Sequence, residues 1–159
     1  MQVHYSSKSS EHLTPPHIVR MVFDVLGGID LDPSADETKT IPAVIHYTIT
    51  EDGLTHPWMR KVYMNPPYGR DIPLWVSKLV GEYEFGNCSE AIALLPARVD
   101  TKWWGSLSDY PTCFIRGRLH FSGSPNAAPF PSAVVYLGQN MELFSTVFSS
   151  VGLIYKRVR

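Results

Sequence analysis

Asn65, Pro66, Pro67 and Tyr68 stand in a row, and together they suit one kind of chemistry. They follow Lys61-Val62-Tyr63-Met64, an apolar run that reads as the end of a buried strand. Neither proline can donate to a sheet ladder or continue a helix, so the strand stops there and the loop is stiff. Asn65 is left at the strand tip with an amide that accepts and donates at once. Tyr68 supplies a flat ring three residues on. An acceptor for an amino group beside a platform for a planar base is what methyl transfer to an exocyclic amine requires. The plainer alternative is a rigid turn with a tyrosine packed over it.

The elements that position this loop follow from hydrophobic period and punctuation. Thr14-Pro15-Pro16 opens a helix, with Thr14 as N-cap and Ile18, Val19, Val22, Phe23 and Leu26 on one face. Gly27-Gly28 ends it. Ile29-Asp30-Leu31 is a short buried strand closed by Asp32-Pro33, and a further strand is expected around residues 44–48. Asp71 and Pro73 start the next helix, whose inner face should hold Leu74, Trp75, Leu79, Val80 and Tyr83. Residues 91–95 are continuously apolar, as in a strand buried on both faces of a sheet. Strand and helix signals alternate, which predicts a mostly parallel, doubly wound α/β sheet. In the last third, strands are expected at 113–115, 119–121, 133–137 and 153–155 around one short helix near Phe144. The sheet should therefore end in antiparallel strands.

A chain of 159 residues with 18% charged and 44% hydrophobic side chains is read as a soluble protein. Residues 1–10 are polar and expected to be disordered, with a single catalytic domain over 11–159. No apolar run approaches the ~20 residues of a membrane span, and the N-terminus has no signal core, so a cytoplasmic protein without a membrane partner is predicted. Two cysteines and six scattered histidines show no ligand spacing, so no metal is predicted. The net charge of −1 hides an asymmetry. From Pro96 onward seven Lys/Arg face three Asp/Glu, a balance of +4; the first 95 residues hold seven against twelve, or −5. That permits a basic face toward a polyanion in the second half.

In an open α/β sheet, ligands bind beyond the carboxyl ends of the strands. Two such tips stand out: Asp30-Leu31-Asp32-Pro33 and Asn65-Pro66-Pro67-Tyr68. A carboxylate there suits a cationic group or a ribose diol; the alternative is that Asp30 and Asp32 cap the segment Ser34-Ala35-Asp36-Glu37. Neither G-x-G-x-x-G nor G-x-x-x-x-G-K-[ST] is present, which moves nicotinamide and nucleoside-triphosphate chemistry down the list. A cytosine-C5 enzyme would need a nucleophilic cysteine, usually after proline, whereas Cys88 follows Asn87 and Cys113 follows Thr112.

Seven blocks together carry a resemblance: TPPHIV, GGIDLDPSAD, TEDGL, NPPYG, LLPARVDTKWW, CFIRGRLHF and APFPSAVVYLG. With them, from about Thr14 to Phe148, the chain resembles the phage and prophage DNA N-6-adenine methyltransferases, the Dam family. The resemblance implies a Rossmann-like class I fold and S-adenosylmethionine-dependent methylation of adenine N6 in double-stranded DNA. By that likeness Thr14 and Pro15 contact the methionine part of the cofactor, while Asp30, Asp32, Pro33 and Ser34 line its loop. Asp52, in the TEDGL block, is a reserve candidate for the ribose. The glycine-rich loop usual after the first strand of such folds is replaced here by Ser34-Ala35-Asp36.

The mechanism this implies begins from an amine whose lone pair is delocalised into its ring. The Asn65 side-chain oxygen and the Pro66 carbonyl would accept its N–H groups and free that lone pair for the sulfonium methyl. The adenine must leave the duplex to reach such a pocket, and Tyr68 would stack on it, at a gain of about 1–3 kcal/mol. Arg98, Lys102, Trp103, Trp104, Arg116 and Arg118 are the candidate DNA contacts, against the alternative of core tryptophans and solvated arginines. Rival readings keep the motif and change the substrate to RNA or a protein glutamine amide, or make the chain a non-catalytic binding module. The small size suggests a short recognition site, with a homodimer as one way to extend the DNA surface. The family also implies a bacterial host cytoplasm and protection of phage DNA from restriction.

Overall fold

The computed structural model describes residues 12–159, so the expected disordered stretch at 1–10 lies outside the described residues. In chain order the elements are α1 (Pro16–Leu26), β1 (Leu31–Asp32), β2 (Ile45–His46), β3 (Arg60–Met64), α2 (Ile72–Glu84) and β4 (Cys88–Pro96). They continue with α3 (Lys102–Gly105), β5 (Thr112–Ile115), β6 (Ser132–Leu137), α4 (Met141–Phe148) and β7 (Gly152–Tyr155). The strands form one seven-stranded sheet in the order β2-β1-β3-β4-β6-β5-β7. Pairing is parallel from β2 through β4 and antiparallel from β4 through β7, as the change of pattern in the last third predicts.

Period two along the central strands sorts the core into two layers. Tyr63, Ile92, Leu94, Val134 and Tyr136 point to one face, where α1 and α4 cover them with Ile18, Val22, Phe144 and Phe148. Val62, Met64, Ala91, Ala93, Leu95 and Val135 point to the other, under Trp75, Val76 and Leu79 of α2. Both faces are dry, which is why residues 91–95 lack any polar alternation. Each fully buried side chain of this kind is worth about 1.5–3 kcal/mol, so the sheet is a stiff frame for whatever sits at its edge.

Four expectations need correction. Thr14 does not cap α1: the N-cap is Pro15, without a side-chain bond. The end is as expected, with Gly27 at φ 74 closing the helix through its N–H to Phe23 O. Leu74 of α2 is 51% exposed, and Ile72 and Val76 join Trp75 and Leu79 on the inner face, because these four share one helical stripe and Leu74 falls outside it. Residues 119–121 form no strand; they are irregular backbone held by an isolated bridge between Leu13 and Ser122. The first strand is Leu31–Asp32 rather than 29–31: the paired register begins at Leu31 opposite Ile45, with Asp30 bonding Lys61 O and Ile45 N just ahead of it and Ile29 accepting from Val44 N. The short helix α3 has no counterpart in the sequence pattern; Thr101 opens it by accepting from Trp104 N.

Candidate active site

Because β1 and β3 pair in parallel, with Leu31 opposite Val62, their carboxyl ends emerge side by side. The Ser34 hydroxyl donates to the Asn65 carbonyl at 3.0 Å and ties the two tips together. The Asn65 side chain is fixed by two acceptors: its Nδ2 donates to His12 O at 2.7 Å and to Thr14 Oγ1 at 3.1 Å. A backbone carbonyl offers only lone pairs, so the amide must turn its nitrogen toward His12. Both N–H groups are then consumed. Asn65 Oδ1 is left buried, with no hydrogen-bond partner among the described residues. Thr14 Oγ1 lies 2.6 Å from the hydroxyl of Tyr63, a side chain only 1% exposed on the strand just before the loop.

Two clefts open on either side of this loop. The first is lined by Thr14, Asp32, Ser34, Asp36, Thr40 and the Asn65–Pro67 backbone. Asp32 is almost wholly buried there. Burial pushes its carboxyl up to about 8; the Ser34 N–H pulls it back and the charge of Asp36 pushes it further. Burial would also raise Asp36, but hydrogen bonds from Thr38 and Thr40 outweigh it and hold that carboxyl below its ordinary value. The cleft thus offers one neutral buried acid, one fixed carboxylate and several hydroxyls.

The second cleft is aromatic. Tyr68 donates its hydroxyl to Leu94 O at 3.2 Å, anchoring the ring to β4. Burial, with the neighbouring Tyr63, holds its phenol well above the ordinary value, so it stays a donor. The His12 ring lies 5.0 Å from the Tyr68 ring, and Phe121 and Phe130 present edge-on contacts at 6.0 and 5.5 Å. Arg98 and Asn126 complete the rim. Sequence reasoning missed His12, Phe121 and Phe130. The signal for Phe130 was its setting, an aromatic held between Pro129 and Pro131 in a loop; Phe121 is brought in by the Leu13–Ser122 bridge, which no periodicity encodes.

The remaining candidates divide by place. Pro66 and Pro67 line the first cleft, and Pro15 is occupied as the N-cap of α1. Pro33 is buried beneath the loop, where Gly53 presses on its carbonyl. Asp30 accepts from Lys61 N at 3.1 Å and so supports the start of β3 rather than facing the cleft. Asp52 sits at φ 60 and accepts from Leu54 N at 3.2 Å, shaping the 3-10 turn Gly53–Thr55. Arg98 is exposed on the rim of the aromatic cleft, and Arg116 and Arg118 are exposed just beyond β5, on the same sheet edge. Lys102 is exposed on α3, while Trp103 and Trp104 are partly buried against the core under α2, Trp104 stacking on Phe114 at 6.0 Å. Among the described residues there is no group of three or more His, Cys, Asp or Glu that could hold a metal, and no helix long and apolar enough to cross a membrane.

No curated protein matches the chain. A family model does: that of the DNA N-6-adenine-methyltransferases (Dam), over residues 5–144. The match spans both strand tips, both clefts and the basic edge. By that match, covering far more than half of its length, the chain belongs to the DNA N-6-adenine-methyltransferase (Dam) family.

Proposed function

We propose that this chain methylates the N6 amino group of adenine in DNA, using S-adenosylmethionine and a class I methyltransferase frame. The observation that carries the reading is Asn65 Oδ1, a buried acceptor with no partner among the described residues, presented by an amide whose nitrogen is already committed. An unsatisfied buried acceptor costs about 1–3 kcal/mol, and an arriving amino N–H removes that cost. The same bond draws density onto the amine nitrogen as positive charge develops there, the situation in which a preorganised dipole accelerates reaction most.

The first cleft fits the cofactor by its donor set. Asp32, ionised by the approach of a cationic group, would pair with it, Ser34 and Thr40 would bond its polar edges, and the stiff Pro66-Pro67 segment would wall it on the substrate side. When bound, S-adenosylmethionine supplies an electrophilic methyl group on a sulfonium sulfur. Everything else is the chain's own contribution. Asn65 orients the amine and holds one of its protons. The aromatic cleft takes the flipped base, with Tyr68, Phe121 and Phe130 exchanging water for ring contact. Arg98, Arg116 and Arg118, on the same edge, would bond phosphates and hold the duplex in register.

The test is transfer from labelled S-adenosylmethionine to unmethylated duplex DNA, RNA and bulk protein, followed by mass spectrometry of the products. N6-methyladenine in DNA alone is expected. Label in RNA or in protein glutamine would move the substrate assignment, and cofactor binding without transfer to any of them would make the chain a binding module.

A further inference from the structure

We propose that Thr14 and Tyr63 are positioning residues that fix which end of the Asn65 amide faces the substrate. This rests on the adenine reading above and deepens it, since neither side chain has to touch the base for the effect. The argument begins from the ambiguity of an amide: its oxygen and nitrogen occupy nearly the same volume, and only neighbours decide between them. Turned the wrong way, Asn65 would present two N–H donors to an amino group that itself donates, and the site would repel its substrate.

Two contacts prevent this. His12 O, at 2.7 Å, admits only the nitrogen. Thr14 Oγ1, at 3.1 Å, takes the second N–H, but a hydroxyl can donate as readily as accept. Tyr63 would settle it by accepting the Thr14 proton across 2.6 Å, which leaves Thr14 Oγ1 only lone pairs for Asn65. Tyr63 can do so rigidly because its side chain is 1% exposed and sits on β3, two residues before Asn65, with its backbone in register between β1 and β4. Burial keeps its phenol far above its ordinary value, with the Thr14 bond pulling it back and Asp32 adding to the rise, so the hydroxyl keeps its proton. The row Tyr63–Thr14–Asn65 therefore runs from the dry core to Asn65 Oδ1, a buried oxygen without a hydrogen-bond partner among the described residues. It also accounts for Thr14, which the helix does not use as a cap.

The experiment compares Thr14→Val, Thr14→Ser and Tyr63→Phe in the full chain, by kinetics and by the side-chain amide signals of Asn65 in 15N-labelled protein, assigned through their loss in Asn65→Ala. Expected are a fall in kcat of about 10–100-fold for Thr14→Val, as for a small misplacement of a catalytic group, and a smaller fall for Tyr63→Phe. The Kd for S-adenosylmethionine and the KM for DNA should stay near wild type, Thr14→Ser should recover activity, and the Asn65 amide signals should move in Thr14→Val and Tyr63→Phe but not in Thr14→Ser. Unmoved amide signals in both damaging variants would overturn the proposal. So would a Thr14→Val defect expressed wholly in cofactor Kd, which would make Thr14 a cofactor contact. If the wild-type chain forms no N6-methyladenine, the adenine reading fails, while the amide signals still decide the positioning. Should Thr14→Val not fold, Tyr63→Phe carries the same two readouts.

Discussion

Asn65→Ala separates stability from function, because the structure places opposing terms on the same side chain. Truncation removes two hydrogen bonds, to His12 O and Thr14 Oγ1, each worth about 1 kcal/mol net. It also removes Oδ1, the buried acceptor without a partner among the described residues, whose desolvation costs about 1–3 kcal/mol. The two nearly cancel, so the net change in folding free energy should be within about 1–2 kcal/mol, or a Tm shift of no more than about 8 °C for a domain of this size. Turnover should respond quite differently. Losing a preorganised group aimed at developing charge costs about 10²–10³ in kcat, with cofactor affinity close to wild type because the Ser34 bond uses the Asn65 backbone and survives. Differential scanning fluorimetry, calorimetry with S-adenosylmethionine and single-turnover methyl transfer measure the three quantities. A Tm loss above about 10 °C would mean that Oδ1 is no burden to the fold; wild-type kcat would mean that it is not the acceptor.

Three further outcomes follow from neighbouring residues. A Cβ on Gly53 would lie 1.9 Å from Pro33 O, which is backbone and cannot swing away. Gly53→Ala should therefore cost about 1–3 kcal/mol or more and weaken S-adenosylmethionine binding by moving the 32–34 loop; normal urea stability with normal affinity would refute this. Asp32 carries a folded pKa of about 8 against 3.8 for the free group. Between those values the folded state keeps a proton that the unfolded chain has released, so stability falls as pH rises from about 4 to about 8. At 1.36 kcal/mol per unit the ceiling is roughly 6 kcal/mol, and Asp32→Asn should gain on wild type in Tm steadily from pH 5 to pH 8; a constant difference in a fluorimetric pH series would count against it. Arg116→Glu and Arg118→Glu should each weaken duplex binding and lower the slope of log K against log salt by about 0.9 for every phosphate left without its arginine. An unchanged slope in a fluorescence anisotropy salt series would remove that residue from the interface.

Much of this site was legible because short-range chemistry and long-range structure agree along it. Two prolines end β3 wherever they stand, so the Asn65–Tyr68 loop had to lie at a strand tip. Residues 91–95 could only be a central strand, since nothing polar interrupts them. The errors lie where tertiary contacts outrank local preference. Thr14 before two prolines reads as a cap, but Pro15 already sets the entry angle and the hydroxyl finds Tyr63, 49 residues away. Asp30 and Asp32 look equivalent in sequence, yet the fold gives them different work. One supports Lys61 N and the other is buried in the cleft. Leu119 and Phe121 are apolar enough for a strand, but they are spent on the hydrophobic layer around α1 and the aromatic cleft rather than on sheet pairing.

Two groups at the tips of β1 and β3 are held by the fold at a cost. Among the described residues, Asn65 Oδ1 is buried without a hydrogen-bond partner, and Asp32 is buried without an ion pair. Together they represent several kcal/mol of polar burial, which the Ser34 N–H relieves only in part at Asp32. They persist because the strands beneath them are over-determined: β4 runs between β3 and β6 with residues 91–95 wholly buried, and clusters on both faces lock its register. A marginal sheet would let the tips of β1 and β3 spread, water would reach both groups, and the discomfort that a ligand can relieve would vanish. On this argument the dry core and the reactive edge are one design. Loosening the core beneath the clefts, by truncating the Leu94 side chain for example, should relax the Asp32 pKa toward its ordinary value before it abolishes folding.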